Sequence, residues 1–329
     1  MQGGAVSLAR KFHASEIKPD VILASDMMNL ATFRALTRHQ LHAVPHALYF
    51  HENQLTYPQN TRQSHGWRYG FINYASAMSA DALYFNSQFH LEAFFEALPK
   101  MLKHFYDYNE LDTVDWLRER AAVLPLGLNL SRFDAHRIPK VDGKVPLLLW
   151  NHRWERDKNP SLLFEVLDKL MAEDIAFRVA VVGENVRHSA PEFEAARERL
   201  GERVVAWGYQ PNFADYAHLL WQADYVISTA VQEFFGGAVA EAVYCKCVPL
   251  LPNRLNYPHL IPRHMHELCL YAPDGELATL AACHLRGELK ADAAKLKQSI
   301  ARHDWSQVAR HYDDRLMRLA QAPPLPPAS

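Results

Sequence analysis

The sequence predicts an α/β protein made of two facing Rossmann-like domains, the first of them incomplete at its start. Three observations carry that expectation. Short continuous apolar runs alternate with helical stretches along the chain, as parallel sheets covered on both faces require. A segment rich in Pro, Arg, Lys and Asp, residues 129–145, interrupts the alternation, which then restarts. The 329 residues also exceed what a single core comfortably serves. The expected division is residues 1–130, residues 146–303, and a last helix with a frayed tail over residues 304–329.

In the first domain the apolar runs at 20–25, 46–51, 82–86 and 122–127 read as strands. Helices are expected over 29–38, 67–80, 88–104 and 111–121, and a polar loop follows the second strand from His51 to about residue 66. The chain opens on two glycines and a basic amphipathic run, with no leading strand. In the second domain strands are expected at 146–150, 177–182, 204–207, 225–228 and 248–251. Helices are expected at 160–171, 191–200, 213–223 and 237–245, then at 275–286, 292–301 and 304–320. Asn159 before Pro160 supplies an expected N-cap with proline at the first helical position. In such sheets ligands sit at the carboxyl ends of the strands.

Composition excludes several classes. A formal charge of −2 argues against holding nucleic acid by bulk electrostatics, although a local basic patch is compatible with it. No apolar stretch reaches the ~20 residues that a membrane-spanning helix needs. Four cysteines without a Cys-x-x-Cys pair read as reduced thiols of a cytoplasmic protein. Eighteen histidines are scattered, with no helical His-x-x-x-His beside a carboxylate, so neither a metal site nor a resident cofactor is expected. The glycine fingerprints of dinucleotide-binding enzymes and of P-loop NTPases are missing from the sequence.

The chemistry concentrates in two loops of the second domain. After the apolar run at 225–228 comes Glu233, then Phe235, Gly236 and Gly237 opening a small-residue helix that carries Glu241. Paired glycines clear the space in front of the first helix amides, which favour phosphate or hydroxyl oxygens, and a carboxylate that accepts two hydrogen bonds suits a vicinal diol. By itself the motif is equally a plain strand-to-helix turn. The second loop follows the first strand of the same sheet and holds Arg153 and Lys158, a fork and a point charge suited to a diphosphate. Loops after parallel strands share one sheet edge, so the two motifs are expected to converge. Without an Asp-x-Asp, positive side chains and helix amides replace a metal as the neutralising charge. Tyr209, in Trp-Gly-Tyr after the third strand, reads either as a base-pocket residue or, with Trp207, as strand-end packing.

Arg153, Lys158, Glu233 and Glu241 together resemble the donor-site signature of the family 4 retaining glycosyltransferases. The run from Tyr49 through His51, Glu52 and Asn53 to Pro58, with Arg68, Tyr69 and Asn73 and then residues 80–87, resembles the tRNA-queuosine alpha-mannosyltransferase family. That resemblance implies two facing Rossmann-like domains and mannose transfer from GDP-mannose to queuosine in a tRNA anticodon loop. It also implies roles: Arg153 and Lys158 on the diphosphate, Glu233 with 235–237 on the hexose, Glu241 on the ribose, and His51 toward the reacting sugar. Arg62, His65, Trp67, Arg68 and Tyr69 interleave basic and aromatic groups suited to RNA, and equally suit the solvated start of a helix.

Relatives begin with a strand and a small glycine loop, and this chain starts after both, through either a late start codon or a truncated copy. The 329-residue form is therefore expected to be poorly stable or inactive. Two alternatives stay open: transfer from another sugar nucleotide to a small-molecule or lipid-linked acceptor, and an inactive remnant that binds nucleotide sugar or tRNA.

Overall fold

The computed structural model describes residues 3–56, 66–140, 143–184, 191–272 and 276–322, and only the backbone of residues 66 and 67. It forms two units, one of Met1–Leu126 with Val308–Ser329 and one of Gly127–Gln307.

The first unit is built on a parallel sheet in the order β1 (Ile22–Ser25), β2 (His46–Phe50), β3 (Ala82–Phe85) and β4 (Ala121–Val123). Every residue of β2 is buried, as a strand covered on both faces must be. Phe50 stacks on Phe85 at 4.6 Å, and Phe94 from the helix Gln88–Leu102 closes on Phe50 at 4.9 Å. Helix starts follow local chemistry: Asn29 accepts the Thr32 amide ahead of Leu30–Leu41, and Ser87 accepts the His90 amide. The opening basic run is the helix Gly4–His13, which buries Ala5 and Ala9. Strand β1 lies at the sheet edge, with Leu23 and Met27 exposed beside an apolar cavity of about 550 Å³.

The segment expected as a separate C-terminal piece is instead divided. The helix Trp305–Gln321 belongs to the first unit from Val308 on. There Tyr312 stacks on Tyr49 at 5.9 Å and donates to the Pro125 carbonyl at 3.1 Å, while Leu316 and Leu319 cover Tyr84 and Leu124.

The second unit holds a parallel sheet of six strands: β5 (Leu147–Trp150), β6 (Arg178–Val182), β7 (Val204–Gly208), β8 (Tyr225–Ile227), β9 (Val248–Pro252) and β10 (Leu270–Tyr271). Their order is β10-β9-β8-β5-β6-β7, so the winding reverses between β8 and β5. The carboxyl ends of these two strands, where the winding reverses, are the edge at which open α/β sheets take their ligands. Strand β10 was not expected, being too short to show a period.

Residues 129–145 are not a bare linker. Leu130 and Phe133 are fully buried in the second core, on a 3-10 turn Ser131–His136. Trp221 ties the turn down by donating to the Phe133 carbonyl at 2.8 Å. Asn159 is likewise not the expected side-chain cap: it sits in the left-handed region at φ 48°, closing the 3-10 turn Arg156–Lys158, and makes no capping bond to Pro160–Ala172.

Candidate functional site

The loops after β5 and β8 meet because the two strands are hydrogen-bonded neighbours, Leu148 opposite Tyr225 and Leu149 opposite Val226. Backbone bonds then stitch loop to loop. The Val231 amide donates to the Asp157 carbonyl at 2.8 Å, and the Thr229 hydroxyl donates to the Lys158 carbonyl at 2.6 Å while accepting the Trp150 indole at 3.2 Å. This fixes the Lys158 side chain, only 10% exposed, with Nζ 2.9 Å from the Gln232 carbonyl, 3.4 Å from Glu233 Oε2 and 3.2 Å from Asp157 Oδ2. Burial alone would lower its pKa; Glu233 and Asp157 outweigh that and raise it, so the ammonium stays charged. Beneath it His152 is pushed down to about 3, first by burial and then by the lysine charge, and is neutral.

Glu233 serves three neighbours, the Lys158 ammonium and the Phe235 and Gly236 amides. While Oε2 faces Lys158, Oε1 accepts the Gly236 amide at 3.1 Å and the Phe235 amide at 3.4 Å. Gly236 turns the chain at φ 96°, and a Cβ there would come 3.2 Å from the ring of Tyr257, itself held by Ser228 at 2.7 Å. Only glycine suits both demands. Ala240 makes the first helical bond, to Gly236, so the amides of Gly237, Ala238 and Val239 lie at the open end of Gly237–Tyr244. The Phe235 ring packs inward against His303 at 5.2 Å, and its carbonyl accepts from Asn256 at 2.9 Å, so this residue holds the turn.

Beside this loop lies a cavity of about 320 Å³, lined by Asn151, Arg153, Gly183, Tyr209, Phe213 and Tyr216 among others. Gly183, at φ 155°, lets β6 approach β5 so closely that any Cβ would overlap the His152 carbonyl. Tyr209 stands at the rim, 65% exposed, while Trp207 turns inward against Trp154 at 5.6 Å, so the strand-end packing reading describes Trp207 and not Tyr209. Arg153 also lines the cavity, 3.5 Å from Glu155. Glu241 accepts from Tyr216 at 3.0 Å and Arg132 at 3.3 Å, and Asn151 donates to the same tyrosine oxygen at 3.1 Å. Burial raises the Glu241 pKa, with Tyr216 and Arg132 working against it.

In the first unit the expected loop begins at the end of β2. His51 is an exposed residue whose ring packs at a tilt against Tyr49, centroids 4.7 Å apart, and partial burial lowers its imidazole pKa. Its backbone is clamped from below: Asp26 Oδ1 accepts the His51 amide at 3.0 Å and Asn86 donates to the His51 carbonyl at 2.9 Å. Asn53 and Asn73, expected to meet the acceptor, are fully buried and serve the loop itself. Asn53 accepts the Leu55 and Thr56 amides, and Asn73 accepts the Gln54 amide at 2.9 Å while donating to the Asp26 carbonyl at 3.2 Å. Burial, reinforced by Glu52, pushes Asp26 up to about 7. Glu52 is half-buried; Arg68 is exposed and Tyr69 half-buried on the helix Gly66–Met78. Arg62 and His65 lie outside the described residues, as do the side chain of Trp67 and the tail from residue 323.

Sequence reasoning missed Asp26, Asn86, Arg132, Asn151 and Tyr216. A lone acid closing an apolar strand flags Asp26, and Asn151 directly follows β5; Tyr216 and Arg132 carry no local signal.

A family model described as tRNA-queuosine alpha-mannosyltransferase N-terminal matches residues 1–128, and that of glycosyl transferases group 1 matches residues 131–278. A Drosophila melanogaster protein named tRNA-queuosine alpha-mannosyltransferase is 36% identical over 250 residues, covering 74% of this chain and 66% of that protein. A Komagataeibacter xylinus protein named GDP-mannose:cellobiosyl-diphosphopolyprenol alpha-mannosyltransferase is 26% identical over 203 residues, covering 59% of this chain and 50% of its own. The chain thus spans about two thirds of the first relative and half of the second. Among solved structures, Anabaena HepE in complex with UDP superposes with a TM-score of 0.68 at 17% identity, over 95% of this chain and 81% of that one. Sucrose-phosphate synthase from Thermosynechococcus elongatus gives 0.68 at 16%, over 97% and 78%. At such identities the likeness bears on the fold, which is the expected pair of Rossmann-like domains.

Proposed function

Since this chain belongs to the tRNA-queuosine alpha-mannosyltransferase family, we propose that it transfers mannose from GDP-mannose to queuosine in the anticodon loop of a tRNA, with retention at the anomeric carbon. The observation that carries the reading is Lys158, a buried and fully charged ammonium held against Glu233 next to the Gly236 turn. Arg153 and Lys158 neutralise the diphosphate as it departs, aided by the amides of 237–239. Glu233 accepts hexose hydroxyls, Glu241 accepts ribose hydroxyls, and Tyr209 covers the base. The first unit serves the acceptor through His51 and Glu52, with Arg68 and Tyr69 on the RNA. No side chain is needed as nucleophile. A donor phosphate oxygen takes the acceptor proton on the face from which the diphosphate leaves, and the protein supplies charge and alignment. Among the described residues no helix is long and apolar enough to cross a membrane, and a tRNA substrate puts the work in the cytoplasm.

The test is incorporation of radiolabelled mannose from GDP-mannose into tRNA with and without queuosine. Label is expected only in the queuosine-containing tRNA. Equal label in both, or none in either alongside transfer to a polyprenol-linked or small-molecule acceptor, would overturn the acceptor assignment.

A further inference from the structure

Glu241 lies beside the cavity as a carboxylate that is already half-occupied, and the way it is occupied is informative. Oε1 takes a hydrogen bond from Arg132 Nη2 at 3.3 Å and Oε2 takes one from the Tyr216 hydroxyl at 3.0 Å. An ionised carboxylate offers about four lone-pair positions. One bond on each oxygen leaves one position free on each, which matches the two hydroxyl donors of a cis-diol such as the 2′,3′ pair of a ribose.

The two holders are themselves fixed. Asn151 Nδ2 donates to Tyr216 Oη at 3.1 Å and to the Ala238 carbonyl at 2.8 Å, so the tyrosine must send its own proton to Glu241. Arg132 rides on the 3-10 turn anchored by buried Leu130 and Phe133, with its guanidinium 4.0 Å above the ring of Phe213. The ring supports one face of the guanidinium, while the Arg132 side chain as a whole is 42% exposed. The Glu241 side chain is 20% exposed, and burial favours its neutral form, which would turn one acceptor oxygen into a donor. Arg132 and Tyr216 are the groups that oppose this.

We propose that Arg132, acting with Tyr216, is the positioning residue for Glu241: it holds that carboxylate with one acceptor site per oxygen turned to the ribose diol of the donor. The segment bearing Arg132 is thereby part of the nucleotide site and not merely a connection between sheets. This assignment rests on the donor reading given above for the second unit.

Titration calorimetry of the full chain with GDP, 2′,3′-dideoxy-GDP and UDP tests it, with melting temperature recorded for each variant. For Arg132→Met, GDP is expected to bind about tenfold more weakly while dideoxy-GDP changes less than about twofold. Arg132→Lys is expected to restore part of the loss. In a Glu241→Gln background, Arg132→Met is expected to add no more than about twofold, the signature of an effect that passes through Glu241. Equal weakening of both guanine nucleotides by Arg132→Met, or an undiminished effect in the Glu241→Gln background, would overturn the positioning role alone. Wild-type protein that binds neither GDP nor UDP would overturn the donor reading, and this assignment with it.

Discussion

Two buried ionisable groups, Lys158 in the second unit and Asp26 in the first, answer burial in opposite ways. Around Lys158 a cation is buried between two carboxylates and stays charged, and around the His51 loop a carboxylate is buried among amides and sits near neutrality. The first arrangement suits a group that must meet negative charge as it develops. The second suits a scaffold whose task is to hold backbone, because Asp26, Asn53, Asn73 and Asn86 each bond at least one main-chain group. Burial of polar atoms thus has two meanings in one chain, and the partner decides which.

The sharpest way to break the contrast is to remove the buried cation. Lys158→Met is expected to reduce turnover about 10²–10³-fold, the usual loss when one preorganised charge-stabilising donor is deleted. It also strands Glu233 and Asp157 against each other, so the melting temperature should fall as well. The double variant Lys158→Met/Glu233→Gln removes that stranding and should recover much of the melting temperature with none of the turnover. Recovery of both together would make Lys158 a structural residue.

The matching experiment in the first unit has the opposite sign. Folded Asp26 keeps its proton up to about pH 7, against an ordinary value of 3.8. As pH rises from about 4 to about 7 the unfolded chain gains a solvated carboxylate that the folded chain does not, so the native state loses roughly 3–4 kcal/mol over that window. Asp26→Asn keeps an oxygen for the His51 amide and has no such slope. Chemical denaturation of both proteins at pH 5 and pH 8 should show the variant gaining on the wild type by a few kcal/mol at the higher pH. A pH-independent difference would mean that Asp26 is ionised throughout.

Gly236 tests the backbone half of the second site. Gly236→Ala meets a left-handed φ and the Tyr257 ring, an expected cost of about 2 kcal/mol in stability. It also displaces the amides that Glu233 holds, so donor affinity should fall with it. Unchanged donor affinity despite the loss of stability would show that the turn shapes the fold without shaping the site.

These differences also explain what could be read from the chain alone. Strands β2, β5 and β6 were legible because a strand buried on both faces writes a continuous apolar run. That Lys158 and Glu233 would meet was legible because loops after parallel strands of one sheet share an edge, and the two side chains lie 3.4 Å apart. The segment 129–145 misled through its Pro and Lys content, although Leu130 and Phe133, three apart, are what seat it in the second core. Asn53 and Asn73 misled in the other direction: a polar loop residue looks available for a ligand until the structure shows its amide committed to its own backbone. Tyr216 and Arg132 had no local mark, since their importance arises from which strand-end helix and which turn the topology brings to Glu241.

The smallest effect is expected at Tyr209, and it separates two rings that the sequence could not. Tyr209 and Trp207 sit two apart at the end of β7, one at the cavity rim and one folded against Trp154, Phe164 and Phe193. Tyr209→Ala should weaken nucleotide binding by about 1 kcal/mol, roughly fivefold, because a stacking face is lost without any buried contact being disturbed. Its melting temperature should match the wild type, and Tyr209→Phe should bind normally, since the role proposed for Tyr209 belongs to the ring and not the hydroxyl. Trp207→Ala should do the reverse, lowering the melting temperature while leaving more of the affinity in place. If instead Tyr209→Ala binds GDP and UDP as the wild type does, the nucleobase does not lie against this rim, and the cavity between Asn151 and Tyr216 holds some other part of the donor.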